Sequence, residues 1–284
     1  MAIKYNDLYM DLRRRLREAG AEDATQAARE LVCTASGKTK NELLRDGLLY
    51  ASPEVERAAY SLCARHLAGE PVAYLIGEWE FHGLPIVVTP DVLIPRMDTE
   101  VLVDAALRVL VGRKMNARIL DLCSGSGCIG CALAHELPAA RVVMVDISEE
   151  ALAVSKENLR RNHQNRTICL RADALEKPPM GIGTFDLIVS NPPYVASMDI
   201  LTLDSSVRDY EPIWALDGGE DGYRFYKAII KYWKSLLRPG GFLLFEVGEG
   251  QAATVKDMLS SAGFRAVGSR LDTLNIERVV IGKM

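Results

Sequence analysis

The sequence predicts an α/β fold: a Rossmann-like, mainly parallel sheet of seven strands with helices on both faces, preceded by a small N-terminal helical bundle and a β-hairpin linker. Three observations carry this expectation. Residues 1–76 show only helical spacing. Two short runs flanking Gly83 then break that period. From Arg118 onward, apolar β-branched runs alternate with amphipathic helices, the pattern of parallel strands joined by crossover helices. The divisions expected are residues 1–76, a linker over 77–97 and a sheet domain over 98–284.

Taken in order, Leu8, Leu12 and Leu16 recur at helical spacing. Asp23 with Gln26 reads as a capping box ahead of residues 24–35, and Thr39 with Glu42 as another ahead of residues 41–45. Ser52-Pro53 supplies a cap and a first-turn proline, and Gly69 ends that helix. Residues 78–82 and 85–89 are read as the hairpin strands, and Asp98 or Thr99 as the cap of a helix running to about residue 111. Strands are then expected over residues 118–122, 141–147, 167–172, 185–190, 241–247, 264–271 and 278–281. Helices are expected over 128–137, 149–162, 223–237 and 251–262. Residues 196–222 lack periodicity and are rich in Asp and Gly, which predicts a long loop of the kind that often serves as a lid.

The chain has 284 residues, of which 49% are apolar and 25% charged, enough for a sizeable core, and its formal charge is −4. Affinity built on phosphate neutralisation normally needs a basic surplus, so direct sequence-specific nucleic-acid binding is not expected. No apolar run is long enough to span a bilayer. The N-terminal stretch has no apolar signal core and carries Asp7, Asp11 and Glu18, so a cytoplasmic location is expected. The six cysteines lie in apolar or helical patterns and read as reduced thiols.

The strand over 118–122 runs into Cys123-Ser124-Gly125-Ser126-Gly127 and then a helix. Such a turn brings backbone close to a ligand. Residues 125–130 also satisfy a GxGxxG dinucleotide fingerprint, a weak signal alone. Asp146 ends the next strand, where an acid can accept from a ribose diol. To this point a nicotinamide enzyme and a methyltransferase fit equally. Asp173, after the third strand, stands where methyltransferases recognise the adenine edge. Asn191-Pro192-Pro193-Tyr194 follows the fourth strand, where a dehydrogenase has no use for it.

The chemistry explains that motif. Pro192 and Pro193 fix φ and remove two backbone donors. The Asn191 side-chain carbonyl and the Pro192 backbone carbonyl can then accept from a substrate NH2. Tyr194 offers an aromatic face and a hydroxyl to clamp a flat group. An amide nitrogen is a poor nucleophile, and two acceptors can turn it toward an electrophilic methyl group. The reading is therefore a class I Rossmann-like methyltransferase using S-adenosyl-L-methionine, with S-adenosyl-L-homocysteine as product and no metal.

With these residues in order, the chain resembles the release factor glutamine methyltransferases, the PrmC/HemK family. The resemblance covers nearly the whole chain. It includes residues 77–83 (GEWEFHG), 92–100 (VLIPRMDTE), 121–127, 145–148, 190–195 (SNPPYV), 211–212 and 215–222 (ALDGGEDG). It implies methylation of the glutamine amide nitrogen (N5) in the GGQ motif of peptide chain release factors. It implies that Cys123 to Gly127, Asp146, Ile147, Asp173, Ala174 and Asn191 touch the cofactor, with Arg96 and Thr99 near its methionine end. Asn191, Pro192, Pro193 and Tyr194 would hold the glutamine, and residues 1–76 would recognise the factor. Met97, Cys123-Ser124 and the stretch 272–278 depart from the family's usual residues.

Other signals are weaker. Cys128 and Cys131 form a CxxC without a second pair, and the four histidines form no metal-binding set. Arg13 to Arg17 reads as a solvated charged face, the alternative being a docking site for an acidic partner surface or ribosomal RNA. The competing functions are a ribosomal-protein glutamine methyltransferase, a nucleic-acid amino-methyltransferase, a nicotinamide oxidoreductase and a non-catalytic adapter.

Overall fold

Leu8, Leu12 and Leu16 share one face of α1 (Tyr5–Glu18) and are all fully buried. This helix packs against α2 (Ala24–Ser36), whose Ala27, Ala28, Leu31 and Val32 are also fully buried. The computed structural model describes residues 3–112 and 116–284. It falls into two units, of which the first contains the chain up to Glu78 together with Asp204–Tyr210.

In this unit α3 (Lys40–Arg45) begins with a complete capping box between Thr39 and Glu42. The helix α4 (Pro53–Leu67) begins with the Ser52 hydroxyl accepting from the Val55 N–H at 3.3 Å. The box expected at Asp23 does not form. Asp23 sits at φ −91°, ψ 14° and makes no side-chain cap bond, because a capping side chain needs the extended backbone that Thr39 and Ser52 adopt. A fifth helix, α5 (Val72–Ile76), was not expected, and Gly77 ends it at φ 74°. The arginine run on α1 is largely neutralised locally. Arg14 pairs with Asp11 and Glu18, and Arg15 pairs with Asp11 and stacks over Tyr60 at 4.7 Å. Tyr210 donates to the Ala68 carbonyl at 3.1 Å, which ties part of the long loop into this unit.

The second unit opens with the hairpin of β1 (Glu78–Phe81) and β2 (Leu84–Val87). His82 and Gly83 both have positive φ, 51° and 74°, as a two-residue type I′ turn requires. The helix α6 (Met97–Val109) starts earlier than the Asp98 or Thr99 cap expected. Arg96 is extended and serves as its N-cap, which places Thr99 inside the first turn.

All seven expected sheet strands form: β3 (Arg118–Leu122), β4 (Arg141–Asp146), β5 (Thr167–Arg171), β6 (Phe185–Ser190), β7 (Leu237–Glu246), β8 (Arg265–Leu271) and β9 (Glu277–Lys283). Their order is β5-β4-β3-β6-β7-β9-β8, parallel except for β9, which runs antiparallel to both neighbours. The helices are α7 (Cys128–Glu136), α8 (Glu149–Arg161), the short α9 (Ser205–Arg208), α10 (Arg224–Tyr232) and α11 (Ala252–Ser261). Every residue of β6 is buried, as expected for a central parallel strand covered on both faces. Asn158 of α8 binds the hairpin, accepting from the Val87 N–H at 2.7 Å and donating to the Val87 carbonyl at 3.0 Å.

Two boundaries differ by four residues or more from expectation. The helix over 223–237 ends at Tyr232 and is followed by a 3₁₀ turn, Lys234–Leu236. Trp233, fully buried, donates its indole N–H to the Ala174 and Glu176 carbonyls. The next strand starts at Leu237, because the register jumps from Phe185↔Leu237 to Leu187↔Phe242 and loops Pro239-Gly240-Gly241 out of the ladder. Proline cannot donate to that ladder. The long loop also holds α9 and two 3₁₀ turns, Asp199–Thr202 and Ile213–Ala215.

Candidate active site

The topological switch lies between β3 and β6, which pair in parallel with Leu122 opposite Ser190. Their carboxyl ends therefore release the glycine turn and the NPPY motif side by side. The Ser190 hydroxyl donates to the Leu122 carbonyl at 2.7 Å and ties the two exits together.

The glycine turn is shaped by close packing. A Cβ on Gly127 would lie 2.9 Å from Ser155 Oγ, and one on Gly130 would lie 2.4 Å from Met144 Cε. Cys123 occupies the left-handed region at φ 58°, a conformation that favours glycine. Ser155 donates to the Gly125 carbonyl at 2.8 Å, and Asn158 donates to the Ser126 carbonyl at 2.8 Å. One fully buried helix residue, Asn158, thus clamps both the hairpin and the turn. Nothing in its sequence context marked it.

Asp146 accepts from the Gly125 N–H at 2.8 Å and from the Ser148 N–H at 3.0 Å, one on each oxygen. Burial raises its pKa, and the N–H donors of Ser148 and Gly125 oppose that. Asp173 accepts from the Leu175 N–H at 2.8 Å. Asp121, behind the turn, accepts from the Gly130 N–H, and burial pushes it up to about 8.

Asn191 donates from Nδ2 to the Thr99 hydroxyl at 3.3 Å. Tyr194 donates to Glu246 Oε1 at 3.4 Å, so its hydroxyl is engaged with the protein interior, where the sequence reading had it clamp a substrate. Burial raises the Tyr194 pKa. Gln251 donates to the Tyr194 carbonyl at 3.0 Å. The segment after the loop lies against this turn: Val195 donates to the Leu216 carbonyl, and Gly218 to the Val195 carbonyl. A Cβ on Gly218 would lie 2.8 Å from Tyr194 Cα, and one on Gly222 would lie 2.6 Å from the Tyr194 carbonyl oxygen. These contacts account for the glycines at 218 and 222.

Glu246 is the residue sequence reasoning missed. It is 2% exposed at the end of β7. Burial pushes its carboxyl up to about 7, while Thr99, Arg278 and Tyr194 pull it down. A lone acid inside Phe242–Val247, otherwise apolar apart from it, was the available signal.

A cleft of about 1130 Å³, counted with its open mouth, joins these parts. Its walls include Arg96, Thr99, Cys123 to Ser126, Asp146, Ile147, Asp173, Ala174, Asn191 and Pro193. Gly127, Pro192 and Tyr194 stand outside that lining. Trp214, Phe225 and Asp91, which the sequence did not single out, are part of it. Arg96 pairs with the buried carboxylate of Glu211, whose other oxygen accepts from the Ile94 N–H. Its charge is therefore already matched within the protein.

The residues fit an S-adenosyl nucleoside. Ser124 lines the cleft, and its buried hydroxyl has no hydrogen-bond partner among the described residues. A Cβ on Gly125 would meet open space, so the turn leaves room there. Asp91, Asp146 and Asp173 make the cleft acidic around a paired Arg96, which suits a cationic sulfonium. Cys128 and Cys131 are buried, and burial raises both thiols, the first to about 12. Thiols so raised are poor nucleophiles.

Comparison with known proteins follows this geometry. A family model described as the PrmC N-terminal domain matches residues 7–77, and one described as the methyltransferase small domain matches residues 98–204. A methyltransferase from Pyrococcus furiosus superposes with a TM-score of 0.52 at 19% identity, covering 78% of this chain and 96% of that one. That likeness concerns the fold. The release factor glutamine methyltransferase of Bordetella pertussis is 42% identical over 89% of this chain and 92% of its own length. That of Geobacter sulfurreducens is 43% identical over 95% of this chain and 93% of its own. Identity at that level, sustained through both the helical and the sheet regions, places this chain in the release factor glutamine methyltransferase family.

Proposed function

We propose that this protein transfers the methyl group of S-adenosyl-L-methionine to the side-chain amide nitrogen (N5) of the glutamine in the GGQ motif of peptide chain release factors, leaving S-adenosyl-L-homocysteine. One observation carries the reading: Asn191 opens into the same cleft as Asp146 and Asp173. Asp146 and Asp173 would hold the nucleoside, and Asn191 of the amide grip lines the same cleft.

The bound cofactor supplies an electrophilic methyl carbon. The protein's part is placement. Thr99 takes the Asn191 Nδ2 hydrogen, which leaves Oδ1 to accept from the substrate NH2. The backbone carbonyl of Pro192, which stands between the lining residues Asn191 and Pro193 without itself lining the cleft, is the proposed second acceptor. Two acceptors fix both hydrogens of a planar amide and direct its nitrogen lone pair toward the methyl group. Such orientation can supply up to about 7–11 kcal/mol in favourable intramolecular cases. The methylated nitrogen is acidic and releases its proton without a strong base. No metal has a role in this reading.

Residues 1–76 are proposed to recognise the factor, with 77–97 as linker and 98–284 as the catalytic part. A tripeptide loop offers far less area than a specific protein interface, so a second surface is required. This reading goes with a cytoplasmic site of action. The expected absence of sequence-specific nucleic-acid binding rests on the charge of −4. Among the described residues no helix is long and apolar enough to cross a membrane.

The test uses purified protein, labelled S-adenosylmethionine and three acceptors: a release factor, a ribosomal protein and DNA. Label is expected only on the GGQ glutamine, and a GGQ peptide alone should be a much poorer acceptor than the intact factor. Label in nucleic acid alone refutes the proposal.

A further inference from the structure

A carboxamide grip works in one orientation only. Two N–H groups of the substrate need oxygen acceptors, yet Asn191 carries an oxygen and an NH2 of nearly the same shape. Something must choose which of them faces the cleft. The immediate neighbour is the Thr99 hydroxyl, 3.3 Å from Asn191 Nδ2 and 2% exposed. A hydroxyl can accept or donate, so Thr99 passes the choice to whatever lies behind it.

Glu246 lies on β7, against which α6, the helix of Thr99, packs, and the Thr99 hydroxyl favours the charged form of its carboxyl. Its Oε1 accepts from Tyr194, three residues past Asn191, whereas its buried Oε2 has no hydrogen-bond partner among the described residues and is free to take one. We propose that Glu246 is a positioning residue whose ionised carboxylate takes the Thr99 hydrogen, makes that hydroxyl an acceptor for Asn191 Nδ2, and so presents Oδ1 to the substrate nitrogen.

The opposite polarity is also available. A protonated Glu246 can donate to Thr99, whose hydrogen then favours Asn191 Oδ1. The flipped amide would offer N–H groups to a substrate NH2, donor against donor. The surroundings balance the two forms. Arg278 of β9 and the hydroxyls of Thr99 and Tyr194 favour the charge. Burial and Asp98 of α6 oppose it. Arg278 is itself shared, 3.2 Å from Asp98 and 3.0 Å from Asp272. Tyr226 of α10 donates to the Glu246 backbone carbonyl at 2.9 Å, and the Cys128 thiol of α7 also feels the carboxylate. The balance sets the carboxyl at about 7, so both polarities are populated near neutral pH.

The inference rests on the proposed function and deepens it. The experiment measures kcat and KM for an intact release factor from pH 5.5 to 9, with cofactor affinity followed by calorimetry. The enzymes compared are the wild type, Glu246→Gln and Thr99→Val. Wild-type kcat should fall about tenfold per pH unit on the acidic side and level off above neutrality. Glu246→Gln can donate or accept, so it should lose the acidic limb and sit roughly tenfold below the wild-type plateau, with KM and cofactor affinity within about twofold. Thr99→Val breaks the relay while keeping the carboxylate, and should show the same loss in kcat. A Glu246→Gln enzyme with wild-type plateau and acidic limb overturns the inference. If that variant does not fold, Thr99→Val decides, and wild-type turnover there overturns it equally. A wild type that labels no release factor at any pH sinks the proposed function and this inference with it. An active wild type with unaffected variants sinks the inference alone.

Discussion

Asn191 is the residue on which the proposed chemistry turns, and its neighbours say why. Its Nδ2 is occupied by Thr99, and it lines the cleft, so in the proposed function its Oδ1 is the acceptor for the incoming amide. Asn191→Ala removes that acceptor while leaving Asp146, Asp173 and the glycine turn intact. Turnover should fall by about 10²–10³, as when one positioned hydrogen-bonding group is removed from an active site. Cofactor affinity, measured by calorimetry, should stay within about tenfold. Unchanged turnover would remove Asn191 from the mechanism. The NPPY string was legible because two prolines and a tyrosine after a buried strand have a local chemical meaning. Glu246 stood in view as an acid among apolar residues, yet nothing local says that it lies beneath Tyr194. Tyr194 itself was half legible: the sequence indicated its importance, and the fold turned its hydroxyl inward.

At the scale of elements, local chemistry succeeded where the backbone was free to follow it. Thr39 and Glu42 form both bonds of a capping box, and α3 is only six residues long. A helix that short depends on its cap and its packing. Thr39→Ala should therefore destabilise the protein by about 1 kcal/mol, read as a lower urea midpoint with an unchanged slope. No change would mean that packing of Leu43 alone holds the helix. The same reasoning failed at Asp23, where the backbone entering α2 is not extended. It also failed at the end of α10, where burial of Trp233 and the looped-out Pro239-Gly240-Gly241 decide where helix stops and strand begins. The first failure is a local turn, in which the Ala24 N–H donates to the Ala21 carbonyl; the second is tertiary contact overriding a local preference. Asn158 belongs here too, since its three hydrogen bonds to the hairpin and the glycine turn depend on where α8 packs.

For the whole molecule, the buried acids couple activity to stability with opposite signs. Burial raises Glu246 from 4.5 to about 7 and Asp121 from 3.8 to about 8. The folded state therefore holds these protons more tightly than the unfolded chain. Their contribution is fully present below the unfolded values and is lost as pH rises through the folded ones. Stability against urea should decline between about pH 4 and pH 8. Glu246→Gln should flatten that decline by up to the order of 3 kcal/mol. A decline as steep in the variant as in the wild type would place the coupling elsewhere. The pH range in which the site is charged and ready is thus the range in which the fold gives up stability, a familiar exchange at active sites. By itself, the sequence determined the order of elements and the places of the glycine turn and the NPPY turn at strand ends, because each depends on residues within a few positions of one another. The tertiary structure alone decided that β3 lies beside β6, that Asn158 clamps the turn and that Glu246 sits under Tyr194. Those are contacts between residues far apart in the chain, and only the packing of sheet and helices brings them within reach of a hydrogen bond.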